Sequence, residues 1–130
     1  MSGQLEYINS DEVPEVPPLS HAVRYDNFVF VSGQVGLQIG ESKPPESFTD
    51  EVVRAFTSLE QVLEASGATQ KHIIKITCYL SDISDRDELN DVYLQLFPEP
   101  RPARTTVQVG LAHGLRFEVD AIAAIQDQAS

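Results

Sequence analysis

Three side chains near the end of the sequence carry the chemistry it could perform. Arg104 follows a proline-rich corner in Pro102-Ala103-Arg104-Thr105-Thr106-Val107-Gln108-Val109. Glu118 and Asp120 alternate with apolar residues in Leu115-Arg116-Phe117-Glu118-Val119-Asp120-Ala121-Ile122-Ala123. Both stretches read as strands, and the short segment between them predicts that they pair as antiparallel neighbours. A fixed cation beside a carboxylate suits a small anionic substrate. A guanidinium binds a carboxylate through two parallel N–H···O bonds, and a nearby carboxylate orients a water or accepts its proton. Glu118 and Asp120 share a strand face, so spacing does not choose between them. It also leaves Arg104 and Glu118 open to a structural reading, as a paired arginine and a solvated acid.

The other reactive side chains form no comparable group. His21, His72 and His113 fall on separate elements, with no cysteine or acid at a ligand spacing, so no metal is implied. Cys78 sits mid-strand between apolar neighbours and reads as packing rather than a nucleophile. Gly33, Gly36 and Gly40 lack the spacing and the following Lys-Ser/Thr of a phosphate-cradling loop. Asp82, Asp85, Asp87, Glu88 and Asp91 read as a solvated acidic helix start. No cofactor is expected.

Stepwise along the chain, a short edge strand is expected over residues 4–9. An extended acidic linker with Pro14, Pro17 and Pro18 follows. Residues 21–25 and 28–34 read as a hairpin turning at Asp26-Asn27. Its second strand, Phe28-Val29-Phe30-Val31, is apolar on both faces and predicts a buried central strand ending in the small polar Ser32-Gly33-Gln34. Residues 35–47 read as a loop. Ser47, with Asp50 three residues on, predicts a helix start. The stripe Val52, Ala55, Phe56, Leu59, Val62 and Leu63 carries that helix to a C-terminal Gly67. His72 to Ser81 is the next strand. A second helix starts near Ser84, with Leu89, Val92, Tyr93, Leu96 and Phe97 on its apolar face, and ends before Pro98. The main elements run β-β-α-β-α-β-β, an α+β two-layer domain with two helices on one face of a mixed or antiparallel sheet. Phe30, Val107 and Ile122 suggest that the other face is apolar, and a second copy of the chain is its simplest cover.

The 130 residues, taken as a single domain over 1–130, bury enough surface to fold without disulfide or metal. The formal net charge is −11, and the nine basic residues are scattered. That field repels nucleic acid, whose binding rests on Lys and Arg contacts to phosphate. No apolar run is long enough to span a membrane, and residues 1–6 lack the basic and apolar regions of a signal peptide. With Cys78 the single cysteine, a reducing cytoplasmic location is expected.

The motifs together resemble the YjgF/RidA family of reactive-intermediate (enamine/imine) deaminases. The matching segments are Val31-Ser32-Gly33-Gln34, Leu59–Gly67, Ile74–Asp82, Asn90-Asp91-Val92-Tyr93, Pro102–Val107 and Phe117–Ala123. The resemblance implies a chorismate-mutase-like fold and a homotrimer with sites in the clefts between subunits. It implies a metal-independent hydrolase that converts 2-aminoacrylate-like enamines and imines to 2-keto acids and ammonia. Arg104 then binds the substrate carboxylate and Glu118 positions water, with Ser32, Thr106, Asn90 and Leu19 at substrate-binding positions. The family pattern has tyrosine where Leu19 stands and cysteine where Thr106 stands, and the loop Gly110–Gly114 looks one residue short. These departures keep a second reading open, a non-catalytic module that binds small carboxylates. Ribonuclease or translation-inhibitor activity ranks lower, given the charge.

Overall fold

The computed structural model describes residues 4–126. Six strands form one sheet: β1 (Leu5–Ile8), β2 (Ala22–Tyr25), β3 (Phe28–Val35), β4 (Ile73–Leu80), β5 (Ala103–Gln108) and β6 (Phe117–Ala124). Two helices, α1 (Phe48–Ala65) and α2 (Arg86–Leu96), pack on it. The fold is α+β, as the periodicities predict.

Local signals explain the elements. Asp26 takes a positive φ of 59° in the β2–β3 turn, a conformation that Asp tolerates better than most residues. The Ser47 side chain accepts from the Asp50 N–H at 3.1 Å and caps α1. Gly67, at φ +83°, follows the helix end where a side chain would be strained. The α1 stripe is buried along its whole length, from Val52 and Ala55 to Val62 and Leu63. Cys78 is fully buried. Burial pushes its thiol up to about 11, so it is a packing residue.

The strand order is β1-β2-β3-β6-β4-β5, which overturns one expectation. β5 and β6 are not neighbours: β4 lies between them, parallel to β5 and antiparallel to β6. The cause is the connection through α2. A strand, a helix and a strand make a crossover that lays the two strands parallel and adjacent, so β6 must take the other edge of β4.

The sheet has one covered face and one open face. On β6, Phe117, Val119, Ala121 and Ala123 are buried beneath the helices, whereas Glu118, Asp120 and Ile122 point the other way. On β3, Val29, Val31 and Gln34 are buried. Phe28 and Phe30 remain 45% and 47% exposed, so this strand is apolar on both faces but buried on one. Two apolar ladders cross the open face: Leu5, Tyr25 and Phe28, and Tyr7, Val23, Phe30 and Ile122. An apolar patch of this kind marks an interaction surface.

One ion pair, buried on its acid side, was not foreseen. Glu51 lies inside the α1 stripe at 0% exposure. Its carboxylate accepts from the Arg116 Nε at 2.7 Å, the Arg116 N–H at 2.8 Å and the Phe117 N–H at 3.2 Å. The pair ties α1 to the entry of β6, the strand that carries Glu118. Replacing Glu51 by Ala orphans these donors and is expected to cost about 3–5 kcal/mol. Urea unfolding of the two proteins measures it, and a loss below about 1 kcal/mol, the level of an exposed pair, contradicts the assignment.

Candidate active site

Arg104 is held by three groups and, among the described residues, paired to no acid. Its Nε donates to the Thr106 Oγ1 at 2.8 Å, and its Nη2 donates to the Asn90 Oδ1 at 2.6 Å. Its guanidinium carbon lies 4.6 Å from the centroid of the Tyr93 ring. Among the described residues no carboxylate lies within ion-pair distance of Arg104, and Nη1 has no hydrogen-bond partner. A partly buried cation with its side edge fixed and Nη1 open is a ready receptor for an anion. α2 supplies Asn90 and Tyr93 one turn apart on one helix face, and β5 supplies Arg104 and Thr106 two residues apart on one strand face.

Glu118 sits elsewhere. Its β6 position pairs with Tyr79 on β4 and Val35 on β3. A Cβ added to Gly33 would meet the Glu118 Oε2 at 1.9 Å, so the carboxylate lies directly against the Gly33 backbone and only glycine leaves room for it. No described residue donates a hydrogen bond to this carboxylate. Burial, and then the charge of Asp120, raises its pKa above the usual carboxylate value. Asp120 is already engaged. It accepts from the Tyr79 hydroxyl at 2.7 Å, and this bond leads the causes that push Tyr79 up to about 12. The structure thus separates two acids that spacing could not.

Ser32 and Leu19 lie beside Gly33, Ser32 as its neighbour on β3 and Leu19 across a small cavity that both border. The Ser32 Oγ donates to the Ser20 carbonyl at 2.7 Å, and the Ser32 N–H donates to the His21 carbonyl at 2.9 Å. Leu19, Val16, Gly33, Val35 and Leu37 border a cavity of about 140 Å³. His21 is buried beside it. Its Nδ1 accepts from the Ser10 N–H and its Nε2 faces the Pro14 carbonyl, both at 2.9 Å, which is a structural role. The candidate residues therefore fall into two clusters: Arg104, Asn90, Thr106 and Tyr93 in direct contact in one, and Glu118 against Gly33 in the other, with Ser32 and Leu19 joined to it through that glycine.

One chain cannot join the two clusters. Arg104 and Thr106 pair with the buried Ile76 and Cys78 of β4, which places them on the helix-covered face at the sheet edge. Glu118 lies on the open face, one strand beyond β4. Two strand spacings and three residues of rise put their Cα atoms on the order of 14 Å apart, on opposite faces.

The model of the family described as "Endoribonuclease L-PSP" matches residues 10–125. The chain belongs to this family, the YjgF/RidA family. A protein of Dermatophagoides farinae named 2-iminobutanoate/2-iminopropanoate deaminase is 34% identical over 113 residues, covering 85% of this chain and 88% of that one. The crystal structure of RidA from an Antarctic Psychrobacter superposes with a TM-score of 0.87 at 32% identity, over 92% of this chain and 99% of that one. The structure of E. coli TdcF with bound serine superposes with a TM-score of 0.86 at 28% identity, over 93% and 99% of the two chains. These YjgF/RidA neighbours share the whole two-layer fold, so both clusters lie within the common framework.

Sequence reading missed two members of the site. Tyr93 was assigned to the apolar face of α2, although its offset of three from Asn90 placed both on one side. Gly33 read only as part of the small polar end of its strand, and the Glu118 carboxylate lies against its backbone.

Proposed function

We propose that the protein hydrolyses small imines and enamines that carry a carboxylate, giving a 2-keto acid and ammonia. The observation that carries this reading is the held but acid-free guanidinium of Arg104. Relatives named as imine deaminases support it, and Glu118, unengaged and more basic than an ordinary glutamate, supplies the second function.

The chemistry needs no covalent nucleophile. The substrate carboxylate takes the open Nη1 side of Arg104, which fixes the imine carbon in space. A water on Glu118 gives its proton to the carboxylate as the new C–O bond forms, and the C=N electron pair moves to nitrogen. The same proton then passes to that nitrogen, the hydroxyl proton of the tetrahedral intermediate follows it by way of the freed Glu118 carboxylate, and the C–N bond breaks so that ammonia leaves as the carbonyl forms. Ser32, Thr106, Asn90 and Leu19 line the substrate, with Asn90 and Thr106 acting through Arg104.

Because the two clusters lie on opposite faces, the site is proposed to form between copies of the chain, with Arg104 from one and Glu118 from the next. The uncovered ladders of Phe28, Phe30 and Tyr7 support assembly through the open face, and a cyclic homotrimer repeats such a contact without an edge. A cytoplasmic setting, where enamines are released by other enzymes, suits the reaction. Among the described residues no helix is long and apolar enough to cross a membrane.

The test is direct. A dehydratase or an amino-acid oxidase generates the short-lived enamine or imine, and its loss is followed with and without this protein. Acceleration over the spontaneous rate is expected. Tight binding of 2-keto acids without any acceleration would replace the enzyme by a binding module.

A further inference from the structure

Tyr93 is the buried tyrosine that the proposed reaction leaves unused. It is 4% exposed, and its hydroxyl is the buried side-chain oxygen without a hydrogen-bond partner among the described residues. An unpaired buried hydroxyl is destabilising where an apolar ring of the same shape would fit, so packing alone does not account for the residue. What distinguishes it is the pair of groups on its ring faces. The Arg104 guanidinium carbon lies 4.6 Å from the ring centroid, and the Phe97 ring stacks at 4.5 Å with an interplanar angle of 21°. Phe56 meets the ring edge-on at 6.1 Å.

We propose that Tyr93 is a positioning residue for carboxylate binding: its ring, backed by Phe97, fixes the Arg104 guanidinium so that its Nη1 side stays open to the substrate. The inference rests on the carboxylate-binding reading of Arg104. Asn90 and Thr106 fix two N–H groups of the guanidinium, but hydrogen bonds along one edge leave the plate free to tilt about that edge. An electron-rich ring beneath the plate removes the tilt, because the cation is drawn to the ring face. Tyrosine offers a better face to a cation than phenylalanine does, which gives the tyrosine a role even with its hydroxyl unpaired. A receptor that holds the carboxylate equally in the ground and transition states affects KM rather than kcat.

Two variants in the full assembled protein test this. Tyr93→Leu is expected to raise KM for the imine about tenfold, equivalent to about 1.4 kcal/mol, with kcat changed by less than about threefold. Tyr93→Phe keeps a ring face and is expected to raise KM by a smaller factor. If the leucine variant does not fold, Tyr93→Met, whose side chain adapts to core gaps, takes its place. A second readout needs no turnover: nitrogen-15 NMR of the Arg104 guanidinium in the unliganded protein. The wild type is expected to show separate Nη1 and Nη2 signals from hindered rotation, and the ring-less variant a merged signal. A ring-less variant that matches the wild type in KM or in the guanidinium spectrum overturns the proposal. So does a Phe variant that loses as much as the ring-less one, since that assigns the effect to the hydroxyl. If the protein turns over no imine, the reaction reading fails, and the NMR comparison still decides the role of Tyr93.

Discussion

Replacing Arg104 by Ala is expected to lower kcat/KM for a carboxylate-bearing imine roughly 100- to 1,000-fold. Removing one partner of a hydrogen-bonded charge pair costs about 2–5 kcal/mol, and this loss, about 2.7–4.1 kcal/mol, falls in the middle of that range. The geometry sharpens the expectation. The Nε and Nη2 of Arg104 are already committed to Thr106 and Asn90, so the side chain cannot swing aside to be replaced by a water-bridged contact. Lysine at this position keeps a charge but loses the fork and the flat contact with Tyr93, and should recover only part of the activity. Fold and assembly should persist, because the orphaned Asn90 and Thr106 are only partly buried. Steady-state kinetics alongside size measurement decide the matter. Activity within about threefold of wild type places the anion elsewhere.

Replacing Glu118 by Gln is expected to remove the proton acceptor while keeping the shape, at a cost of about 100- to 10,000-fold in kcat. The pH profile carries more information. Burial and the neighbouring Asp120 raise the Glu118 pKa, so the carboxylate is lost to protonation at a higher pH than for an exposed glutamate, whose value is about 4.3. Activity should therefore fall as pH drops, starting above that value. Asp120→Asn removes the charge that helps to raise this pKa, so the acid limb should move to lower pH. An acid limb that stays in place in Asp120→Asn assigns the titration to another group.

The helices and turns were legible because their signals are local. The α1 stripe from Val52 to Leu63 and the Ser47 cap need only neighbouring residues to act. Asp26 and Gly67 mark positive φ by residue type. The order of the strands was not legible in the same way. The short segment before Leu115 suggested that β5 and β6 pair, yet the α2 crossover already makes β5 the parallel neighbour of β4. Reading the helix between β4 and β5 as a crossover would have separated Arg104 from Glu118 at once. The site suffered similarly. Arg104, Glu118, Ser32, Asn90, Thr106 and Leu19 could be named from residue types and family resemblance, but which of them meet depends on sheet face and strand order. Glu51 escaped because a carboxylate within an apolar stripe reads as a break in the pattern, when it marks a partner arriving from elsewhere, Arg116.

The central claim is that Arg104 of one copy and Glu118 of another make one site. Mixing tests it most directly. Purified Arg104→Ala and Glu118→Gln proteins are combined, allowed to exchange subunits, and assayed for imine hydrolysis. Each variant alone lacks one half of every site. In a cyclic assembly of equal mixture, about a quarter of the sites receive an intact Arg104 from one chain and an intact Glu118 from the other. The account predicts recovery of activity toward that fraction of wild type. Mixed assemblies, verified by mass, that stay as inactive as the separate variants would contradict it.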